Sequence, residues 1–535
     1  MKTIYRLTLL LPLTLFMLAG CKGRANASKS TSSTSNQAIT INIKNEPHTL
    51  DPRKARALSD MSLIRMFMEG LTRPDKDGNV SLALAKSIEV SPDQKTYTFN
   101  LKKSHWSNGD PVTSHDFAYA WKKSLSPNFN APNCNMLYVI KNAKKAKTGQ
   151  LPLSLVGIET PNPQTLVVQL NHPTPYFKEL TSNPIFFPVN SSVDSFDPHW
   201  AENHKTFIGN GPFLLHEWKH HNLMHAKKNE KYWEKKVVKM QDLTMLMVPE
   251  DTGLKMFESN QLHWDGSPFS TIPVDAINHL KGEEKLQISP VLATQWIRVN
   301  IDHSPFQSQE LRQAFAYAID RQSIVDHIAQ GNQIPATGIV PIAMNLQDQH
   351  FFKDGDTETA SQLFEDALNN LGISRKNFPE ITLMYASAER NHLIAQELQA
   401  QWRKAFDIHI GLEPVENKVF FDRVSKKNYT LSLGNWFADF NDPINFLEVF
   451  KSKEVGTNNT NWEHPSYTEL LETSFVCNSP EERLKLLKQS QEIIINDMPV
   501  IPIFHFTMLY TQDEHLKDVI LTPMGHIDFK YAQLK

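Results

Sequence analysis

The sequence predicts an α/β protein built as two lobes, and three observations carry that expectation. The chain has 535 residues, several times the roughly 100 to 150 of a typical domain, so it must divide into at least two packed units. Apolar residues make up 40% of it and charged residues 21%, with only 20 glycines, which is the composition of a core-forming globular protein and excludes a disordered or fibrous one. Strand-like and helix-like periodicities alternate along the chain instead of being segregated, as α/β architectures require.

The N-terminus reads as an export signal. Lys2 and Arg6 precede an apolar run from Leu7 to Leu18, and the small residues Ala19 and Gly20 stand ahead of Cys21, the order of a secretory leader and its cleavage site. The run is too short to cross about 30 Å of hydrocarbon at about 1.5 Å per residue, so residues 1–20 are expected to be a signal peptide and not an anchor helix. The string LAGC resembles the bacterial lipobox, which implies that Cys21 is lipidated and becomes the mature N-terminus. Residues 21–37 continue as a flexible tether, since KGRANASKSTSSTSNQ has no apolar residue larger than Ala. No later stretch approaches the ~20 apolar residues of a membrane helix, so the body is expected to work outside the cytoplasm, in water.

Within the body, alternating apolar residues predict strands at AITINIKN (Ile39, Ile41, Ile43), TYTFNLKK (Tyr97, Phe99, Leu101), TLVVQL near 166 to 170, and WIRVNID (Ile297, Val299, Ile301). Leu311, Ala314, Phe315, Ala318 and Ile319 fall at helical spacing, with Ser308 placed to cap the start and Gly331 to stop the run. Ser479, Pro480 and Glu482 form the opening of a second helix as N-cap, N1 and N3. A third, NHLIAQELQAQWRKAF, runs into the strand-like DIHIGLEPV, an αβ unit.

Charge and motifs narrow the function. Lys+Arg 55 against Asp+Glu 58 gives a net charge of −3, without the single-sign field that a phosphate backbone demands, so no nucleic-acid partner is expected. HEWKH, His216 to His220, matches the H-E-x-x-H zinc-protease pattern, which works only on a helix where both His share one face. Gly211 and Pro212 open a strand-like run ahead of it, so a solvated hairpin with incidental histidines is the preferred reading, and a secreted zinc peptidase using His216, Glu217 and His220 is the alternative from another class. DKDG at Asp75 to Gly78 lacks the third acidic position and the closing Glu of a calcium loop and reads as a turn. There is no G-x-S-x-G elbow, P-loop or convincing dinucleotide turn. The expectation is a protein that is not an enzyme, with no catalytic residue, metal or cofactor of its own.

SIEVSPDQKTYTFNLKKSHWSNGDPVTSHDFAYAWK, residues 87 to 122, resembles the signature block of the extracytoplasmic solute-binding proteins, family 5, of oligopeptide, dipeptide and nickel importers. The family's order continues through NEPHTLDP (45 to 52), MFMEGLTR (66 to 73), GNGPFLLHEW (209 to 218), NEKYW (229 to 233), LRQAFAYAIDRQSIVD (311 to 326), NWFADFNDP (435 to 443) and MPVIPIFHF (498 to 506). The resemblance, greatest to the oligopeptide binders, implies a two-lobe periplasmic-binding-protein fold with hinge closure and an inserted subdomain, three domains in all. Lobe I comprises 38–59, 189–298 and 507–535, the inserted subdomain 60–188, and lobe II 299–506. Cys134 and Cys477 then fall in different units and are expected to be unpaired.

What the resemblance implies for function is a monomeric, lipid-anchored binder on the periplasmic side of the bacterial envelope that captures a short peptide between the lobes and hands it to an ABC-transporter permease. A nickel, haem or cell-wall-peptide carrier is the alternative within the same fold. The ligand's main chain would pair with Glu46, Pro47 and His48 on one side and Gly434, Asn435 and Trp436 on the other. Asp439 would meet the α-ammonium group, with Trp436 and Phe437 as apolar walls. The family's oligopeptide binders commonly have a basic residue just before the G-W pair, where this chain has Leu433, so the carboxyl end is read differently. Arg423, Arg390 and His392 lie in the corresponding neighbourhoods and are candidates for it, although each also reads as a solvated helix charge.

Overall fold

The computed structural model describes residues 37–344, 346, 350–453, 456–477 and 479–535. The leader, the lipidation site Cys21 and the tether through residue 36 lie outside these residues. Among the described residues, eleven strands form one mixed sheet. Its order is Ile410–Val415, Ile381–Ala386, Leu431–Phe437, Leu286–Val299, Val500–Gln512, Trp264–Gly266, Ala38–Asn42, Asp242–Leu246, Leu223–Lys228 and Phe213–Lys219, with Ile334–Pro335 paired off this path against Val500–Gln512. A separate four-stranded antiparallel sheet, in the order Ala85–Val90, Thr96–Leu101, Thr165–Gln169, Ile158–Asn162, forms the inserted part. Tyr97, Phe99 and Leu101 point inward there and Thr96, Thr98 and Asn100 do not, as a two-residue side-chain period dictates. Helix Ser114–Ser124 covers this sheet. Its start is held by a capping box between Thr113 and Asp116, and Trp121 is buried against Phe186.

Two long strands join the halves of the large sheet. Leu286–Pro290 pair with Thr507–Thr511, and Thr294–Arg298 pair with Val500–His505, with a shift of register between the two stretches. From Ala293 onward the first of these strands also pairs with Leu431–Phe437. The first register break therefore falls at Val291–Ala293, where the second partner strand begins, and a register break is where a strand pair can bend at least cost to its ladder. Next to it, the Thr294 hydroxyl donates to the Ile339 carbonyl at 2.9 Å and meets Nδ1 of His505 at 2.9 Å. The hydroxyl has one proton to give, so Nδ1 carries the ring proton. Burial lowers the pKa of His505 to about 3, keeping this contact neutral.

The helix expected from Ser308 to Gly331 is broken. Ser308 caps Gln309–Tyr317 as expected, its side chain accepting from Leu311 N at 3.2 Å. A second helix, Arg321–Ile324, then starts from Asp320, whose carboxylate accepts from Ser323 N at 2.9 Å. The guanidinium of Arg321 is buried and donates to the carbonyls of Ala316, Ile319 and Pro502, taking acceptors that a continuous helix would have used. The other two helices form as expected, Pro480–Asp497 capped by Ser479 and Glu389–Phe406 leading into Ile410–Val415. Cys134 and Cys477 are both free thiols. Among the described residues no helix is long and apolar enough to cross a membrane.

The C-terminal segment is tied back by charge. Arg73 donates to both carboxylate oxygens of Asp528, at 2.6 and 2.8 Å, and to Glu69 at 3.1 Å, and all three residues are buried. Glu69 also accepts from Tyr232 Oη and Trp233 Nε1, so the network's oxygens are well supplied with donors. Arg73→Met removes the only guanidinium bound to Asp528 among the described residues while leaving two buried carboxylates, and should lower unfolding stability by about 3 to 5 kcal/mol. Denaturant titration reads this directly, and a loss below about 1 kcal/mol would show that the network contributes specificity and not stability.

Candidate functional site

The segment NWFADFNDP ends a strand and turns. Leu431–Phe437 pairs along its whole length with Leu286–Val299, but on its other edge only Leu431 and Ser432 pair, with Leu383 and Met384. From Leu433 to Phe437 that edge has no partner strand among the described residues, leaving backbone donors and acceptors available to an added chain. Asn435 and Phe437 are exposed there, Phe437 at 37% and resting on Phe506 with ring centroids 5.3 Å apart. Trp436 is half-buried.

Beyond the strand the chain is braced so that Asp439 is held still. Asn445 Oδ1 accepts from Trp436 Nε1 at 2.9 Å and from the Asp439 backbone N–H at 3.2 Å. Asp442 accepts both terminal nitrogens of Arg483, at 2.8 and 2.9 Å, and Tyr176 of the inserted part stacks on Phe440, 4.5 Å away and nearly parallel. Asp442 thus has its cation; Asp439 has none among the described residues. Loss of solvation raises the Asp439 carboxyl to about 7, against the opposing hydrogen bond from Asn445. Glu448 is raised to about 8, by burial first and then by Asp439 and Asp442, with Lys451 opposing. Burial, Glu448 and Asp442 also push the Tyr176 hydroxyl up. The turn is a half-enclosed acidic site whose charge is incompletely neutralised, which favours a cationic group.

The remaining candidates fall differently. Glu46 is committed to the HEWKH hairpin, its carboxylate accepting from Trp218 Nε1 at 2.8 Å and the His221 backbone N–H at 2.7 Å and meeting His220 Nδ1 at 2.6 Å. Pro47 has no N–H, and that of His48 is taken by Asp60 at 3.1 Å. This segment is not a strand, so it offers a ligand carbonyls and side chains but not the row of free donors that strand pairing would use. Arg423 is paired with Glu413. His392 is exposed and bound to Tyr385 Oη at 2.6 Å. Arg390 opens helix Glu389–Phe406 with no acidic partner among the described residues, and burial lowers its pKa.

One charged residue near the edge escaped the sequence reading. Arg298 reaches from the neighbouring strand across Gly434, with its guanidinium carbon 2.8 Å from where a Gly434 Cβ would lie. The signal available was an Arg as the one charged residue of its strand, but only the register shows that a side-chain-free residue stands beside it.

HEWKH lies on the antiparallel pair Phe213–Lys219 and Leu223–Lys228. His216 lies on the strand and His220 in the turn after it, so the two do not share one face of a helix as the zinc motif requires. Among the described residues no group of three or more His, Cys, Asp or Glu side chains is arranged to hold a metal.

A two-lobed α/β body joined by paired crossing strands, with an acidic turn beside an open strand edge, defines a ligand-enclosing binding protein. Residues 79–458 match the bacterial extracellular solute-binding proteins, family 5, and the chain belongs to that family. It is 38% identical to the oligopeptide-binding protein OppA of Bacillus subtilis, covering 93% of this chain and 92% of that one. It is 31% identical to the dipeptide-binding protein DppE of the same organism, over 97% and 96%. Among solved structures, Haemophilus influenzae OppA in complex with the peptide RPPGFSPFR superposes with a TM-score of 0.80 at 25% identity, covering 94% of this chain and 99% of that one.

The raised carboxyl has a measurable consequence. The empty folded protein holds a proton on Asp439 that the unfolded chain releases near pH 4, so this group's contribution to stability falls as pH rises from about 4 to about 7. Binding an ammonium group at pH 6 should expel that proton. Calorimetry in buffers of different ionisation enthalpy should find release of up to about one proton in the wild type and much less in Asp439→Asn; equal release in both would assign the titration to Glu448.

Proposed function

We propose that this protein is an extracytoplasmic peptide-binding lipoprotein that encloses oligopeptides between its lobes and delivers them to the permease of an ABC importer. The observation that carries the reading is Asp439: a desolvated carboxylate with no cation among the described residues, two residues beyond an open strand edge. An extended peptide offers what both features lack. Its α-ammonium group supplies the missing positive charge, and its main chain fills the ladder positions left open from Leu433 to Phe437, a β-augmentation that is indifferent to side-chain identity. Trp436, Phe437 and Phe506 give side chains an apolar surface without selecting one. The similarity to oligopeptide- and dipeptide-binding relatives supports the same ligand class. Capture and release then need only bending at the crossing strands, with binding energy and not chemistry driving closure. The family's description as solute-binding proteins supports a role other than catalysis.

The leader ending in LAGC supports anchoring through lipid on Cys21, with residues 22 to 37 as the tether that keeps the body at the membrane beside its permease. Cys21→Ser should leave folding and peptide affinity unchanged and move the protein from the membrane pellet to the soluble fraction, because acyl chains supply membrane affinity at about 0.8 kcal/mol per buried methylene. Retention in the pellet would sink the anchoring assignment.

The ligand assignment rests on a double perturbation. Asp439→Ala should cost about 3 to 5 kcal/mol in affinity for a peptide with a free N-terminus, on the order of a hundredfold to a few thousandfold. N-terminal acetylation should do similar damage to the wild type, and the two together should cost far less than their sum. Strict additivity by calorimetric titration would place the ammonium elsewhere.

A further inference from the structure

Arg298 is a cation without an assigned purpose. It lies on the crossing strand Leu286–Val299, half-buried, and no carboxylate pairs with it among the described residues. Its polar contact is one long hydrogen bond from Nη2 to the Asn435 carbonyl, 3.4 Å, and its guanidinium lies 5.8 Å from the Trp296 ring. Such a group is costly to keep dry and unpaired. The other desolvated guanidinium groups on the crossing strands' flank are better satisfied. Arg312 donates to three backbone carbonyls and Asp497 lies near it, and Arg321 pairs with Asp354.

The register places this cation on the binding edge. Arg298 is opposite Ser432, Trp296 opposite Gly434 and Thr294 opposite Trp436, so the Arg298 side chain shares a sheet face with Ser432, Gly434 and Trp436. Gly434 is what lets it lean along that face, since a Cβ there would lie 1.7 Å from Nη1. On the same face, Trp436 reaches Asn445, which braces Asp439. A positive group therefore stands at the Gly434 end of the open edge and a negative one beyond its Phe437 end. Three residues of strand, about 10 Å, separate Gly434 from Phe437, with Asp439 two residues further on.

We propose that Arg298 is the carboxylate anchor of the ligand, holding a carboxylate at the Gly434 end of the edge while Asp439 holds the ammonium at the other. This rests on the peptide reading above and adds to it a polarity and a length: an N-terminus at Asp439, a carboxylate at Arg298, and a span that suits about three to five extended residues. It also accounts for Leu433, because the cation absent from this strand is supplied by its neighbour. The carboxylate has two possible sources, the peptide's C-terminus or an acidic side chain at that position. Burial lowers the pKa of Arg298, opposed by the neutral Tyr429 hydroxyl, which marks the desolvated setting in which a carboxylate partner gains most.

Tri- and tetra-alanine, their C-terminal amides, and the amidated peptide Ala-Ala-Glu-Ala test this by calorimetric titration against wild type, Arg298→Met, Arg298→Lys and Arg390→Met. If the C-terminus is the source, amidation should weaken wild-type binding tenfold or more, Arg298→Met should do the same to the free acids, and the two losses should not add. If a side chain is the source, the glutamate peptide alone should lose affinity in Arg298→Met. In either case Arg298→Lys should recover part of the loss, which also reports on folding, and the amidation arm needs no variant. Equal binding of every peptide by wild type and Arg298→Met, or a loss seen only in Arg390→Met, overturns the assignment while the peptide reading stands. Failure of the wild type to bind any of these peptides removes both.

Discussion

The pairing of Leu286–Val299 with Val500–Gln512 is the constraint on which the rest of the architecture depends. These two strands run from one half of the large sheet into the other, and their register first breaks where the second partner strand begins, at Val291–Ala293. Every element of the candidate site hangs from them. Leu431–Phe437 takes its position from Ala293–Val299, the turn bearing Asp439 follows from that strand, and the Ala438 N–H is bound to the Leu292 carbonyl at the break itself, 2.8 Å away. A movement at the crossing therefore cannot leave the acidic turn behind. The turn and the register break thus share a backbone hydrogen bond, which ties the position of Asp439 to that of the crossing strands.

The molecule treats buried charge in two ways. Arg73, Asp528 and Glu69 satisfy one another with short hydrogen bonds, and Arg53 is held likewise between Asp51 and Asp194. Asp439 and Arg298 are left incomplete, one raised in pKa and the other lowered by the same loss of water. Desolvation is common to all four sites; what differs is the completeness of pairing.

Much of this was legible in the sequence where the governing contacts are local. Alternation in TYTFNLKK, the Ser479–Pro480 helix start and the αβ unit after Asn391 are set by neighbours within a few residues, and they formed as read. HEWKH could be assigned to a strand because Gly211 and Pro212 open the run. Features decided by distant partners were hidden. Nothing near Arg321 announces that Pro502 will take its guanidinium and help split a helix. Glu46 looked available to a ligand until the fold brought the hairpin, more than 170 residues away, onto its carboxylate. Arg298 stayed invisible for the same reason, its meaning lying in a glycine 136 positions later.

The tie between Arg73 and Asp528 has a consequence for the order of assembly. The inserted four-stranded sheet draws all its strands from residues 85 to 169 and can close early on a growing chain. The large sheet cannot, because Trp264–Gly266 and Leu286–Val299 both await Val500–Gln512, and Asp528, which Arg73 binds with both carboxylate oxygens, lies 455 residues further along the chain. Non-local pairing of this kind slows folding. The large sheet is completed only once Val500–Gln512 is available, whereas the four-stranded sheet needs nothing beyond residue 169.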